Sequence, residues 1–447
     1  MAESPRVIGA PAATFTLVGF VVGASIYTVP AELAAESGAG VLVSFAVAAL
    51  LALLGCVATI QLASAFPVTG AGYVAVRELL SPFAGAVAAV AVLSASVVAV
   101  ALLAHGFAAY TASMLPSVAD YRLPLAWGLV SILAALNVVG TRAAVAGQVV
   151  MSLLFIAALL VFAVAGVAHG LQHPGEALSF SGLGAVVYGV VPAYFSFLGF
   201  TLLGELAGDM RRPEKTIPVA LLSGFVIILL TYLLVTLALL LAAGPRELAE
   251  AGAPLALVAS KVAGEGFALV IGASALLAAA TSINGVLMMV SRDVLLLARD
   301  GVLPAGLSRT TQGGGGIPYA AVVSIWLLSL LCIAFESSIQ GYAIATVMGF
   351  MVFQALAALA VARLPFAAPG IYRSARLRFP PRVLLGAGSA LMVVSAVMLV
   401  LGALSAPVEA GLYAMVLALL VGLCALGRRR IKAESAANGA ATPVANG

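Results

Sequence analysis

Residues 21–30 read VVGASIYTVP and residues 194–205 read YFSFLGFTLLGE. Each lies inside a long apolar stretch and interrupts it: Gly19, Gly23 and Pro30 punctuate the first, Gly199 and Gly204 the second. Inside a helix Gly costs about 1 kcal/mol relative to Ala and Pro removes a backbone donor, so both stretches read as helices broken near their middles. Gly in membrane helices also serves close packing. The matched positions of the two breaks, five apolar stretches apart, fit equally well an inverted-repeat transporter with its site near the bilayer midplane, and at this point both readings stand.

The wider sequence supplies the membrane. Of 447 residues 63% are apolar and only 9% charged, against roughly 25% charged in a soluble protein, so the chain cannot cover a water-facing surface. Apolar runs long enough to cross lipid recur throughout, near 11–36, 41–66, 83–115, 124–140, 145–170, 183–207, 217–243, 267–297, 318–335, 340–363, 382–404 and 408–427. The fold class is therefore an all-α integral membrane protein of about twelve transmembrane helices. Residues 1–10 read as a cytoplasmic N-terminus, 11–363 as the core, 382–427 as two peripheral helices and 428–447 as a disordered cytoplasmic tail.

With the N-terminus placed inside, every Lys and Arg except Arg122, Arg246 and Lys261 falls in a cytoplasmic segment, as the positive-inside rule requires. Both termini are then expected in the cytoplasm, in a multi-pass protein of the cell membrane whose first span is retained rather than cleaved. The net charge of +4 belongs to these loops and indicates no nucleic-acid partner. Five arginines within 363–382 face the inner leaflet, where anionic lipid is the expected partner. Cys56, Cys332 and Cys424 sit in apolar spans as packing residues. Nothing in the sequence fixes an oligomeric state.

The segment 194–224, YFSFLGFTLLGELAGDMRRPEKTIPVALLSG, resembles the corresponding stretch of amino acid-polyamine-organocation (APC) superfamily transporters, with its FaFxGFE and NPxRxIPxA elements. VVGASIYTVP resembles their GxGIF segment, FPVTGAGYVAVRELLSPFAG (66–85) their FPxxGGxY loop, LNVVGTRAAVAGQ (136–148) their LNxxGxxxxxxxQ, and SINGVLMMVSRDVLLLARDGVLP (282–304) their ARDGxLP segment. The resemblance implies the LeuT-like fold, with inverted five-helix repeats over about 11–170 and 183–363, broken helices 1 and 6, and alternating access. Thr201 stands where the family often has Glu, Gly208 where it has the first of two acids, leaving Asp209, and Ser25 where it has the second Gly of GxG.

A zwitterionic amino acid at the midplane needs donors and acceptors without buried full charges, and helix ends supply both at about half a charge each. The carboxylate is assigned to the amides of Gly23, Ala24 and Ser25. The ammonium is assigned to carbonyls near Val21 and Val22 and near Phe195, Ser196 and Leu198, with Phe200 resembling the family's aromatic lid. Apart from Glu205 no mid-span acid is expected, and neither Trp127 nor Trp326 is placed at the site, so the substrate expected is a neutral, small or aliphatic amino acid.

Ala278, Thr281 and Ser282 share one helix face; with the carbonyls of Gly19 and Val22 they resemble the sodium site of sodium-coupled transporters of this fold. The same hydroxyls alternatively bond carbonyls one turn back. Sodium-independent relatives often carry a lysine in span 5, where Phe155 aligns here. Proton coupling or exchange is the other reading: His105 is the intramembrane histidine, His169 and His173 lie in an outer loop, and Glu205 is expected to pair with Arg211 or Arg212. No cofactor other than a coupling Na+ is implied. An enzyme would need HExxH, an acidic metal motif or a nucleophile near a histidine, and Gly313–Gly316 read as a linker rather than a phosphate loop. A channel would not need two broken helices.

Overall fold

The structure, a computed structural model, describes residues 6–440 except 69, 173–181, 312–315 and 336–338. The calls on His173 and on most of the 313–316 glycine run fall outside them. The described chain runs α1 (Ala10–Val22), α2 (Val29–Ser37), α3 (Gly40–Ala65), α4 (Ala71–Leu79), α5 (Pro82–Met114), α6 (Arg122–Val139), α7 (Thr141–Gln172), α8 (Leu183–Phe195) and α9 (Pro213–Ala242). It continues through α10 (Pro245–Glu250), α11 (Pro254–Ala263), α12 (Glu265–Arg299), α13 (Tyr319–Ala334), α14 (Ile339–Ala367), α15 (Pro369–Ser374), α16 (Pro381–Ser405) and α17 (Pro407–Ala440).

Local chemistry sets the ends. Pro occupies the first turn of α1, α2, α5, α9, α11, α15 and α16, where its missing N–H costs no helix bond. Ser81 caps α5 by accepting from the Ala84 N–H at 3.0 Å. α17 runs past the end expected at 427 to Ala440: IKAESAA supplies residues with adequate helix propensity and no breaker. The segment 428–440 expected as a disordered tail is thus helical, and 441–447 lie outside the described residues.

Among the described residues eight helices are long and apolar enough to cross a membrane. Their outward faces carry large apolar side chains, such as Ile132, Leu154, Val164, Val226, Leu230 and Val393, all more than half exposed. A surface of this kind is stable only against lipid. Inside the bundle α1 lies among α7, α9 and α12, while α8 packs on α3 and α5 on α12 and α14. Small residues let these helices approach: a methyl at Gly166 would meet Ala238, and one at Gly388 would meet the Ala358 carbonyl at 2.7 Å.

Candidate functional site

α1 stops at Val22 because Gly23 adopts φ 41°, ψ −148°, a conformation that excludes continuation of the helix and favours glycine. Residues Ala24–Tyr27 form one tight turn before α2 begins. The second break is the counterpart: α8 ends at Phe195, Gly199 turns the chain at φ 113°, and Phe200–Asp209 continue as a tighter helix. Pro192, inside the last turn of α8, removes a donor just before this break.

Ending α1 frees carbonyls, and hydroxyls of neighbouring helices satisfy them. The Thr281 hydroxyl lies 2.9 Å from the Gly19 carbonyl and 2.7 Å from that of Ala278. Ser282 Oγ donates to the Phe20 carbonyl at 3.2 Å. Val22's carbonyl meets Tyr232 Oη at 3.3 Å and Ser25 Oγ at 3.2 Å, and those two hydroxyls lie 2.7 Å apart. The first N–H groups of the turn after Gly23 have no helical partner within it.

A cavity of about 310 Å³ joins the breaks. Of the residues expected at the substrate site, Val21, Gly23, Ala24, Ser25 and Leu198 line it, as does Ser282 from the expected cation set. Its remaining walls come from Phe20, Thr28, Val29 and Gly199, from Ala99, Leu102, Leu103 and Gly106 of α5, from Val286 of α12, and from Thr346 and Phe350 of α14. No acid, base or histidine lines it among the described residues.

The structure places several of the expected residues away from the cavity lining. Val22 and Ser196 are buried behind the cavity wall, their groups turned to Tyr232 and to the Pro192 carbonyl; Phe195 closes α8. Phe200 does not cover the cavity: the turn at Gly199 aims its ring at α9, 6.0 Å from the Phe225 centroid. Phe20 and Phe350 are the aromatics in the lining. Of the five expected cation oxygens, those of Gly19, Ala278 and Thr281 converge. Ser282 is turned to Phe20, and Val22 is taken by α9.

The α7 face toward Gly19 carries Gln148 and Ser152 rather than Phe155: a methyl at Gly19 would fall 2.0 Å from Ser152 Oγ and 2.9 Å from Gln148 Nε2. Phe155 is fully buried in the apolar core. Gln148 is itself held, since Asn284 Nδ2 donates to its Oε1 at 2.8 Å while Asn137 Nδ2 donates to Asn284 Oδ1 at 2.8 Å. His105 stacks on Tyr342, centroids 5.5 Å apart. Trp127 and Trp326 tie α6 to α13 away from the cavity.

The acids also depart from expectation. Arg211 and Arg212 are exposed, and Glu205 instead accepts from the Gly72 N–H at 3.3 Å. Asp209 pairs with Arg292, Oδ2 to Nε 2.9 Å, in a buried bridge. Asp293, buried on α12, is an acid the sequence reading passed over. Tyr232 was passed over too; a tyrosine amid aliphatics on a membrane helix was the available signal, because its hydroxyl must find a partner there.

The sequence model of the amino acid permease family matches residues 8–424. An uncharacterized transporter of Mycobacterium tuberculosis is 30% identical over 363 residues, 79% of each chain. A branched-chain amino acid permease of Lactococcus lactis is 25% identical over 341 residues, covering 71% of this chain and 72% of the relative. A methylthioribose transporter of Bacillus subtilis is 23% identical over 402 residues, 85% of each. Family membership supports amino acid transport by a multi-pass membrane protein. With two helices broken around one uncharged cavity and the family's sequence pattern along nearly its whole length, the chain belongs to the amino acid permease family of the APC superfamily.

Proposed function

We propose that the protein is a secondary active transporter of a neutral, small or aliphatic amino acid, working by alternating access in the cytoplasmic membrane with both termini inside the cell. The observation that carries this reading is the lining of the cavity, which joins both breaks and offers hydroxyls and aliphatic groups but no charged side chain among the described residues. A zwitterion's carboxylate can be met by the helix-end amides of Gly23, Ala24 and Ser25 and its ammonium by carbonyls of the opposing break. Ala99, Leu102, Leu103 and Val286 then surround an apolar side chain. A cationic side chain would leave its charge unpaired there. The branched-chain substrate named for the Lactococcus relative is of the same chemical class.

Reciprocal packing supports the inverted repeat. α1 lies on α9 and α8 on α3, while α12 lies on α7 and α5 on α14; exchanging the first five spans for the second five carries each pair into the other. The deciding experiment is uptake of each standard amino acid by proteoliposomes. Saturable uptake of aliphatic amino acids is expected; uptake of none, or preference for arginine and lysine, overturns the reading.

Convergence of the Gly19, Ala278 and Thr281 oxygens favours a second reading for coupling, in which Na+ replaces the Thr281 hydroxyl proton as the link between α1 and α12. Uptake unchanged when potassium replaces sodium overturns that reading.

A further inference from the structure

Glu205 and Asp293 form a polar centre apart from the cavity. Glu205 lies in the helical segment after the second break and Asp293 on α12; they are 1% and 2% exposed, with their carboxyls in hydrogen-bonding reach of each other. α4 backs both. Its Gly72 N–H donates to Glu205 Oε1, and a methyl at Gly70 would stand 3.5 Å from Asp293 Oδ1. Among the described residues Glu205 Oε2 and Asp293 Oδ1 receive no N–H or hydroxyl donor.

Among the described residues no cation compensates them. Arg292, next in sequence to Asp293, turns the other way onto Asp209, Thr141 Oγ1 at 2.8 Å and Ser291 Oγ at 3.0 Å. On α4, Arg77 pairs with Asp300 and Glu78, and Tyr73 donates to Asp300 at 2.7 Å. Arg299 on α12, Lys215 on α9 and Arg363 on α14 are exposed, and Glu214 pairs with Arg376. α1 and α3 carry no charged residue.

Two touching carboxylates without a counter-ion cannot both ionise cheaply in a low-dielectric interior. One proton between them lets the hydroxyl of one acid donate to the other and leaves the pair with a single charge. We propose that Glu205 and Asp293 are a proton-binding site that holds one shared proton in this conformation and releases it to water when a change at the second break separates the two carboxyls. The pair then passes from one negative charge to two. Gly199 lines the cavity and begins the segment that carries Glu205, so a substrate-driven change at the break reaches the proton site. This coupling rests on the transporter reading; the shared proton does not.

Infrared titration of the purified full-length protein tests the proton directly. The wild type is expected to show a protonated carboxyl band that persists at least about two pH units above the ordinary carboxylate range of about 4. The Glu205→Gln/Asp293→Asn double variant should lack it. Absence of the band in the wild type, or its persistence in the double variant, overturns the site. Should the double variant not fold, Asp293→Asn alone must shift the pH at which the band is lost, and an unshifted titration overturns it equally. In proteoliposomes, wild-type uptake should fall about tenfold from about pH 6 to about pH 9, with a flattened profile in Glu205→Gln; the same profile in both overturns the coupling. Absence of any uptake with the band present counts against the transporter reading instead.

Discussion

At the residue scale, the breaks depend on two glycines for which no other side chain fits. A methyl at Gly23 would lie 2.2 Å from Ser282 Oγ, and one at Gly199 would lie 2.4 Å from Phe20 Cε1, both at positive φ. Gly23→Val is therefore expected to weaken substrate binding at least tenfold, about 1.4 kcal/mol, in a radioligand binding assay; unchanged affinity would remove the amide cradle. Gly184 is the control: it sits within α8 with open space around it, so Gly184→Ala should leave binding intact. Tyr73 makes a pH prediction. Burial first, then its bond to the Asp300 carboxylate, pushes its phenol up to about 12. The folded protein then holds the phenolic proton more tightly than the unfolded chain, so Tyr73's contribution to stability is present below about pH 10 and lost as pH rises through about 12. Ultraviolet titration of wild type against Tyr73→Phe should reveal a phenolate forming near pH 12; a midpoint near 10 contradicts this.

At the element scale, buried polar side chains connect neighbouring helices across largely apolar faces. Asn284 joins α12 to α6 through Asn137 and to α7 through Gln148 and the Ala144 carbonyl. Asn284→Ala strands these partners and should cost about 1–2 kcal/mol, seen as a lower melting temperature in detergent. The buried Arg292–Asp209 bridge holds α12 to the segment after the second break. Arg292→Ala leaves a buried carboxylate alone and should cost about 3–5 kcal/mol. Arg376→Ala, at a pair whose arginine is mostly exposed, should cost under about 1 kcal/mol. Equal melting shifts for the two arginine variants would refute this ranking.

At the scale of the whole molecule, the distribution of basic residues fixes the orientation to be tested. In a cysteine-free background, Arg376→Cys should react with a membrane-impermeant maleimide only once the cytoplasmic face is opened, and Lys261→Cys from outside intact cells. The reverse pattern would invert the topology. Both positions are accessible, at 61% and 36% side-chain exposure, so reaction reports sidedness rather than burial.

Composition, apolar runs and the Gly and Pro punctuation at 21–30 and 194–205 determined that this chain is a membrane helix bundle with two broken helices, because helix formation and its interruption are local and lipid demands nothing further from periodicity. Which face of each helix looks inward was left to tertiary packing: a lipid-solvated helix is apolar all round, so Ala99, Leu102, Leu103 and Gly106 share a face on α5 that nothing in the sequence distinguishes from its neighbours. For the same reason the aim of Phe200 at α9, the place of Ser152 behind Gly19 and the meeting of Glu205 with Asp293 emerged only in three dimensions. Each depends on the azimuth of a helix against its neighbours, which long-range contacts decide.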